Sequence, residues 1–334
     1  MNRTRRMQIA CFGEALIDFL AKPATGADEP RAFHQFAGGA PANVAVAVAR
    51  LGGDAQFVGM FGRDMFGDFL IDSLRRAGVG TDHIARTDAA NTALAFVALD
   101  EHGERHFNFY RPPAADLLFR REHFHDACFD GLASFHVCSN SLTEPEIAAA
   151  TVQGMQLARA AGAIVSCDLN WRPALWNAGA DPHPRLWAAL AEADVVKLAR
   201  SELEFLAQPL HATPTQTTEQ AVLDRAWHGH AQLVIVTDGD APVLWFTRVA
   251  SGSVPSHAVR AIDTTAAGDA FVGGLLFYIA RRGVDAATLA AFLRDSRALE
   301  DALRFAAAVG ALAVTRHGAF AAMPDIAEVK ALLD

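Results

Sequence analysis

An α/β fold is what this sequence predicts: a doubly wound, mostly parallel sheet with helices on both faces, plus a small β-sheet lid. Strand-like and helix-like segments alternate over most of the 334 residues, the pattern of parallel strands joined by helices. Two short β-rich segments, 92–99 and 105–110, break the alternation and read as a hairpin across Asp100-Glu101-His102-Gly103. The composition, 51% hydrophobic and 20% charged, belongs to a chain that buries a sizeable core.

Residues 7–20 read as a buried strand that continues into a more polar extension. Residues 21–30 carry Pro, Gly, Asp and Glu and read as a loop, with 33–36 a short returning strand. Residues 41–51 read as a helix. Pro41 suits its first turn, where an N–H would lack a partner anyway, and Gly52 and Gly53 end it. A strand at 55–61 follows, then an amphipathic helix at 66–77 stopped by Gly78. After the hairpin and Arg111-Pro112-Pro113 the alternation resumes. Strands are expected at 133–138, 163–168, 194–198 and 232–237, with helical stretches between them, clearest at 146–161. Residues 243–246 and 254–261 read as an antiparallel pair. Helices at 266–281, 298–315 and 326–333 close the chain. The lid is built from two insertions, at about 19–37 and about 92–113.

There are 29 Lys and Arg against 38 Asp and Glu, a formal charge of −9. Such an acidic chain is unsuited to non-specific nucleic-acid binding, which needs cations to neutralise phosphates. A small anion held by local backbone groups stays open. Arg3, Arg5 and Arg6 form the only basic block. No apolar run approaches the roughly 18 residues of a membrane span. Glu14 and Asp18 interrupt the apolar start, and no clean signal-cleavage site follows. Cys11, Cys128, Cys138 and Cys167 show no C-x-x-C spacing. They read as buried free thiols, hence a cytoplasmic protein. The pairs His123/His125 and His228/His230 lack nearby cysteine ligands and read as surface residues.

The most informative stretch is Asp263-Thr264-Thr265-Ala266-Ala267-Gly268-Asp269, which follows a strand and opens an apolar helix. Small residues let a ligand approach the backbone. The first N–H groups of a helix lack internal partners and sit at its positive end, so the site attracts an anion such as phosphate. Asp269 beside that anion either only favours the helix dipole or accepts a proton from an attacking alcohol. A second stretch, Gly38-Gly39-Ala40-Pro41-Ala42-Asn43, is either an ordinary glycine turn before a helix or a loop that offers backbone N–H groups and the Asn43 amide to a polar ligand. No Walker A motif, Rossmann G-x-G-x-x-G or protein-kinase catalytic loop is present.

These two stretches, in this order and at this separation, resemble the two signatures of the ribokinase-like (PfkB-type) carbohydrate kinases. The resemblance runs from Gly13 to Pro324. The segments beginning at Gly13-Glu14, Gly38-Gly39 and Phe109-Tyr110-Arg111 look most like bacterial fructokinases. It implies a single kinase domain over 1–334, with an α/β core and a lid that covers the sugar. It also implies transfer of the ATP γ-phosphoryl group to a primary hydroxyl, with D-fructose the acceptor and fructose 6-phosphate the product. Asp269 would be the catalytic base, and Ala266, Ala267 and Gly268 the anion hole. Asp18, Gly38, Gly39, Asn43 and Asn140 would hold sugar hydroxyls, with Arg111 and Arg172 near the sugar or the transferred group. Lys197, Glu202, Thr237, Gly239 and Ala307 would serve ATP and Mg²⁺. Ala199 stands where the family's N-x-x-E element has Asn. Asp263, Thr265, Ala313, Arg316 and Gly318 match a K⁺ site of many members, although Ala322 replaces a frequent hydroxyl there. The exposed edges of the lid suit a homodimer. The alternatives are a 2-keto-3-deoxygluconate kinase, which needs a pocket cation, a purine-nucleoside kinase, and a non-catalytic regulator on the same fold.

Overall fold

The computed structural model describes residues 7–22, 32–99, 105–210 and 216–334. The strands among them are β1 (Gln8–Phe12), β2 (Leu16–Ala21), β3 (Phe33–Gly38), β4 (Ala55–Gly62), β5 (Gly80–Thr87), β6 (Leu94–Leu99), β7 (Arg105–Tyr110), β8 (Leu132–Cys138), β9 (Ile164–Asp168), β10 (Val195–Ala199), β11 (Leu233–Thr237), β12 (Val243–Thr247) and β13 (Ser251–Val254). Nine form a large sheet in the order β13-β12-β11-β10-β9-β8-β1-β4-β5. From β11 to β5 every neighbouring pair is parallel. Near one edge β12 runs antiparallel to both of its neighbours, β11 and β13.

The helices are α1 (Ala40–Arg50), α2 (Met65–Arg76), α3 (Pro145–Ala160), α4 (His183–Glu192), α5 (Arg200–Ala207), α6 (Thr218–Trp227), α7 (Ala267–Arg281), α8 (Ala286–Arg294), α9 (Ser296–Ala313) and α10 (Ile326–Leu333). They cover both faces of the large sheet, which is why its strands read as continuous apolar runs. Side chains of β1 divide between the two cores. Ile9 and Cys11 join α1, α7 and α9, and Ala10 and Phe12 join α3, α4, α5 and α6. Helix α7 packs closely on both neighbours. A Cβ on Gly273 would lie 2.6 Å from Ala47, and one on Gly274 2.8 Å from Val309. Asp285, Asp295 and Asp325 cap α8, α9 and α10 by accepting N–H bonds in their first turns, which fixes where these helices begin.

Strands β3-β2-β6-β7 form the small sheet. Two antiparallel pairs, β2 with β3 and β6 with β7, meet through a parallel contact of β2 with β6. The sheet's strands lie within residues 16–38 and 94–110. The turn 100–103, residues 23–31 of the first insertion and the basic residues Arg3, Arg5 and Arg6 lie outside the described residues. Phe19 stacks on Phe96 at 5.1 Å, with Phe33 and Tyr110 edge-on to Phe96.

Three expectations need correction. Residues 7–20 are two strands in different sheets, because Gly13 takes φ 144° and turns the chain out of the large sheet before β2. The strand β5 went unread, since its edge position leaves it half-polar rather than apolar. The last strand ends at Val254 instead of beginning there, because the Ser- and Gly-rich segment 251–254 pairs with β12 in the register Val243 to Val254. All four cysteines are free and buried. Among the described residues no helix is long and apolar enough to cross a membrane.

Candidate active site

The polar residues gather at the C-terminal ends of the parallel strands, where open α/β sheets place their ligands. Asp168 closes β9 and lies beside Lys197 in register on β10. The Lys197 ammonium donates to Asp168 Oδ2 at 3.0 Å. Burial works against that ammonium, but the carboxylates of Asp168, Glu202 and Asp269 hold its pKa above the usual value. A Cβ on Gly268 would lie 2.8 Å from Lys197 Nζ. The buried cation therefore faces the first turn of α7, beside N–H groups that have no intrahelical partner.

Ala266 precedes α7 in the left-handed region, φ 61°, a conformation that costs an L-residue about 1–2 kcal/mol. It turns the chain so that α7 starts at Ala267, and Ala267 N–H closes on Thr264 O at 3.4 Å. Asp269 follows in the first turn, buried. Its Oδ2 accepts from Asn43 Nδ2 at 2.8 Å. Burial pushes the Asp269 carboxyl up to about 7; the Asn43 bond opposes that, Asp168 adds to it, and Lys197 and Arg172 oppose it. A carboxylate with a pKa near neutrality suits a general base.

The residues expected to hold the sugar surround the root of the small sheet. Asp18, half-buried on β2, sits against Gly38 on β3, where a Cβ would clash with its carboxylate. Gly39 takes φ 109°, and a Cβ there would lie 2.6 Å from Ala15 Cα. Asn140, after β8, donates through Nδ2 to Glu14 Oε1 at 2.9 Å. Arg111 is 1% exposed and gives Nε and Nη2 to Asp116 Oδ2 at 2.8 and 2.5 Å.

Other expected residues take different positions. Glu202 accepts from the main-chain N–H groups of Trp171 at 2.8 Å and Ala199 at 2.7 Å. It thereby joins the loop that bears Arg172 to the start of α5. Arg172 itself is exposed. Thr237 ends β11, and Gly239 follows with φ 55°. Ala307 is buried in the core on α9, and that helix abuts the first turn of α7, with Gly310 facing Ala267 O. Asp263 is buried and accepts from Thr265 N–H at 2.8 Å and Gly318 N–H at 3.1 Å, drawing two loops together. Ala313 is the last residue of α9, and Arg316 pairs with Glu328.

Three residues of the site were not singled out from the sequence: Glu14, Asp116 and Asp168. For Glu14 and Asp168 the available signal was a charge at the end of an apolar strand. For Asp116 it was the five-residue spacing from Arg111.

Comparison with known proteins agrees with this architecture. Residues 6–326 match the pfkB family carbohydrate kinase. A fructokinase of Xylella fastidiosa solved with bound ATP is 59% identical, covers 98% of both chains and superposes with a TM-score of 0.93. A fructokinase of Vibrio cholerae O395, solved with fructose, ADP and calcium ion, is 34% identical over 99% of this chain and 100% of its own, with a TM-score of 0.82. Fructokinase-1 of Oryza sativa subsp. japonica is 40% identical over 98% of this chain and 97% of its own. A buried carboxylate at a helix N-terminus, a sheet-borne lysine beside it and a separate β lid are thus set in a chain that belongs to the pfkB family of carbohydrate kinases.

Proposed function

We propose that the chain is an ATP-dependent fructokinase that phosphorylates D-fructose to fructose 6-phosphate. The observation that carries this is Asp269: a buried carboxylate, raised to about 7, held by Asn43 in the first turn of α7 beside the Lys197 cation. The named relatives point to fructose as the acceptor. ADP release measured in a coupled assay over fructose, ribose, 2-keto-3-deoxygluconate and adenosine tests the reading. A higher kcat/KM for any of the last three would falsify it.

The sugar-acid reading needs a free cation in the pocket. Arg111 gives Nε and Nη2 to Asp116 and lies in the field of Glu14, which offsets its charge, although its buried Nη1 has no hydrogen-bond partner. Fructose needs no pocket cation, and parallel kinetics with 2-keto-3-deoxygluconate separate the two readings.

Phosphoryl transfer depends on positioning and charge neutralisation. Asp269 accepts the proton of the acceptor hydroxyl as its oxygen bonds to the γ-phosphorus and the bond to the ADP oxygen breaks. The N–H groups of Ala266, Ala267 and Gly268, with Lys197, face the charge on the transferred group. Glu202 holds the Arg172 loop in place, and Thr237, Gly239 and, from within α9, Ala307 would flank the nucleotide. Lid closure excludes water, which would otherwise compete as acceptor.

Among the described residues no group of three or more His, Cys, Asp or Glu could hold a metal ion. Mg²⁺ would therefore arrive largely on phosphates and water, its usual habit. Asp168 fits it, because Oδ1 is buried without a hydrogen-bond partner; Glu202 lies close by. Mg²⁺ when bound would neutralise phosphate charge. The carboxylate of Asp263 and carbonyls of Thr265, Ala313, Arg316 and Gly318 are oxygen donors that fit K⁺. We further propose a single domain over 1–334, a cytoplasmic setting from the four free thiols, and a homodimer through the lid, where Phe33 and Tyr110 are 39% and 62% exposed. Light scattering reads the dimer directly.

A further inference from the structure

Glu14 has no part in the transfer described above, yet it is 1% exposed, more buried than Asp168 or Asp269. It lies between β1 and β2, where the chain leaves the core for the lid. Its Oε1 accepts from Ala40 N–H at 3.1 Å, at the start of α1, and from Asn140 Nδ2 at 2.9 Å. The Cys138 thiol approaches Oε2 at 3.7 Å. Burial raises the Glu14 pKa, and Arg111 and Asn140 oppose that.

Glu14 Oε1 accepts from both neighbours, so it dictates which end of the Asn140 amide faces it. Glu14 takes the Asn140 NH₂, and Asn140 Oδ1 must point elsewhere. That Oδ1 is buried and has no hydrogen-bond partner. Asn43 repeats the arrangement: Asp269 takes its Nδ2, and its Oδ1 is equally buried and unpartnered. Two amides are each clamped by a carboxylate, and each leaves an acceptor unpaired. Unpaired buried acceptors are costly, and hydroxyl donors of a ligand are what would satisfy them.

We infer that Glu14 is a positioning residue for sugar recognition: it locks the Asn140 amide so that Oδ1 accepts a hydrogen bond from a fructose hydroxyl. The inference rests on the fructokinase reading above. It concerns which atom Asn140 offers, and it accounts for the buried charge at the lid root. A site built to accept from a hydroxyl also rejects a sugar that lacks it, because its acceptor is then stranded.

The test is an exchange of partners. Steady-state kinetics are measured for wild type, Glu14→Gln, Asn140→Asp and the double variant, varying fructose and ATP separately, with melting temperatures alongside. Wild type that leaves fructose untouched overturns the fructokinase reading, and this inference with it. Asn140→Asp sets two carboxylates face to face. Glu14→Gln removes the acceptor-only partner. Each should raise the fructose KM by about tenfold or more, the cost of leaving a buried hydrogen-bonding group unpaired, with the ATP KM nearly unchanged. In the double variant the amide and carboxylate trade places. One oxygen, Glu14 Oε1, serves both Ala40 and Asn140, so the amide at 14 must turn its nitrogen toward the carboxylate at 140 to donate to it, leaving one carboxylate oxygen for the sugar. The fructose KM should then return most of the way to wild type. A double variant that does not fold, or is no better than the worse single variant, overturns the inference. So do single variants that melt lower but keep both KM values, since Glu14 is then only a structural residue.

Discussion

Asn43 and Asp269 are joined by a 2.8 Å hydrogen bond across 226 residues of chain. The bond links the first turn of α1 to the first turn of α7, the two helices that carry the two glycine-rich stretches. Their close packing at Gly273 and Ala47 holds it in place. One end of the pair is a carboxyl with a raised pKa, and the other is a buried amide. In the proposed mechanism acceptor binding and proton removal are therefore built on one rigid contact.

Asp18→Ala tests the sugar side. Asp18 stands at the root of the lid against Gly38, and each hydrogen bond from a hydroxyl to its carboxylate is worth about 1.5–3 kcal/mol. The fructose KM should rise by roughly ten- to hundredfold per bond lost. ATP binding, followed by calorimetry, should stay as in wild type. Unchanged fructose affinity would make Asp18 a structural residue of the lid.

Lys197→Met tests the buried pair. The methionine keeps the bulk and leaves Asp168, Glu202 and Asp269 without their shared cation. Breaking a buried ion pair from one side costs about 3–5 kcal/mol, so a clear fall in melting temperature is expected. If Lys197 also meets the phosphates, the ATP KM rises while the fructose KM stays put. A variant as stable as wild type would remove Lys197 from the centre of this network.

How far the sequence reaches is visible in these residues. Asp269 and its helix start were legible because a local motif carries them: small residues, then an acid, then an apolar run. The large sheet was legible because its strands are buried on both faces. The strand break at Gly13 was not, since one glycine in an apolar run gives no sign that the chain changes sheets. Glu14 and Asp168 were missed for a related reason. Their partners, Asn140 and Lys197, are distant in sequence, and only the parallel packing of strand ends brings the charges together. Glu202 was legible as a residue but not in its contacts, because its partners are main-chain N–H groups, which leave no mark in a sequence.

Gly268→Ala tests how tightly the anion site is built. The added methyl would lie 2.8 Å from Lys197 Nζ and 3.7 Å from Asp168 Oδ2. The ammonium must shift or the first turn of α7 must move. Overpacking of this kind costs about 1–3 kcal/mol. The larger effect should fall on turnover, because in the proposed mechanism the displaced charge faces the transferred group. We expect kcat to drop by about tenfold or more, the effect of even a modest loss of preorganised charge. Unchanged kcat would mean that Lys197 and the start of α7 do not act together.

Asp269→Asn tests the base and ties it to pH. The substitution keeps the size and the acceptor for Asn43 but cannot take a proton. Loss of a general base typically costs about 10²–10⁴ in rate, so kcat should fall by at least that much while ATP still binds. In wild type, kcat/KM should rise with pH through about 7, the value to which burial pushes Asp269, because only the ionised form accepts a proton. Stability should move the other way. The native carboxyl has a pKa near 7 against an ordinary 3.8, so between these values the native state holds a proton that the unfolded chain has released. The contribution of Asp269 to stability is then present below pH 4, declines as pH rises toward 7 and is level beyond. The variant lacks this titration. Its melting temperature relative to wild type should therefore climb between pH 4 and 7, and an inactive protein should gain stability just where the active one works. A flat difference across that range would show that Asp269 does not titrate with a raised pKa in the folded protein, and a folded variant with near-wild-type kcat would show that it is not the base.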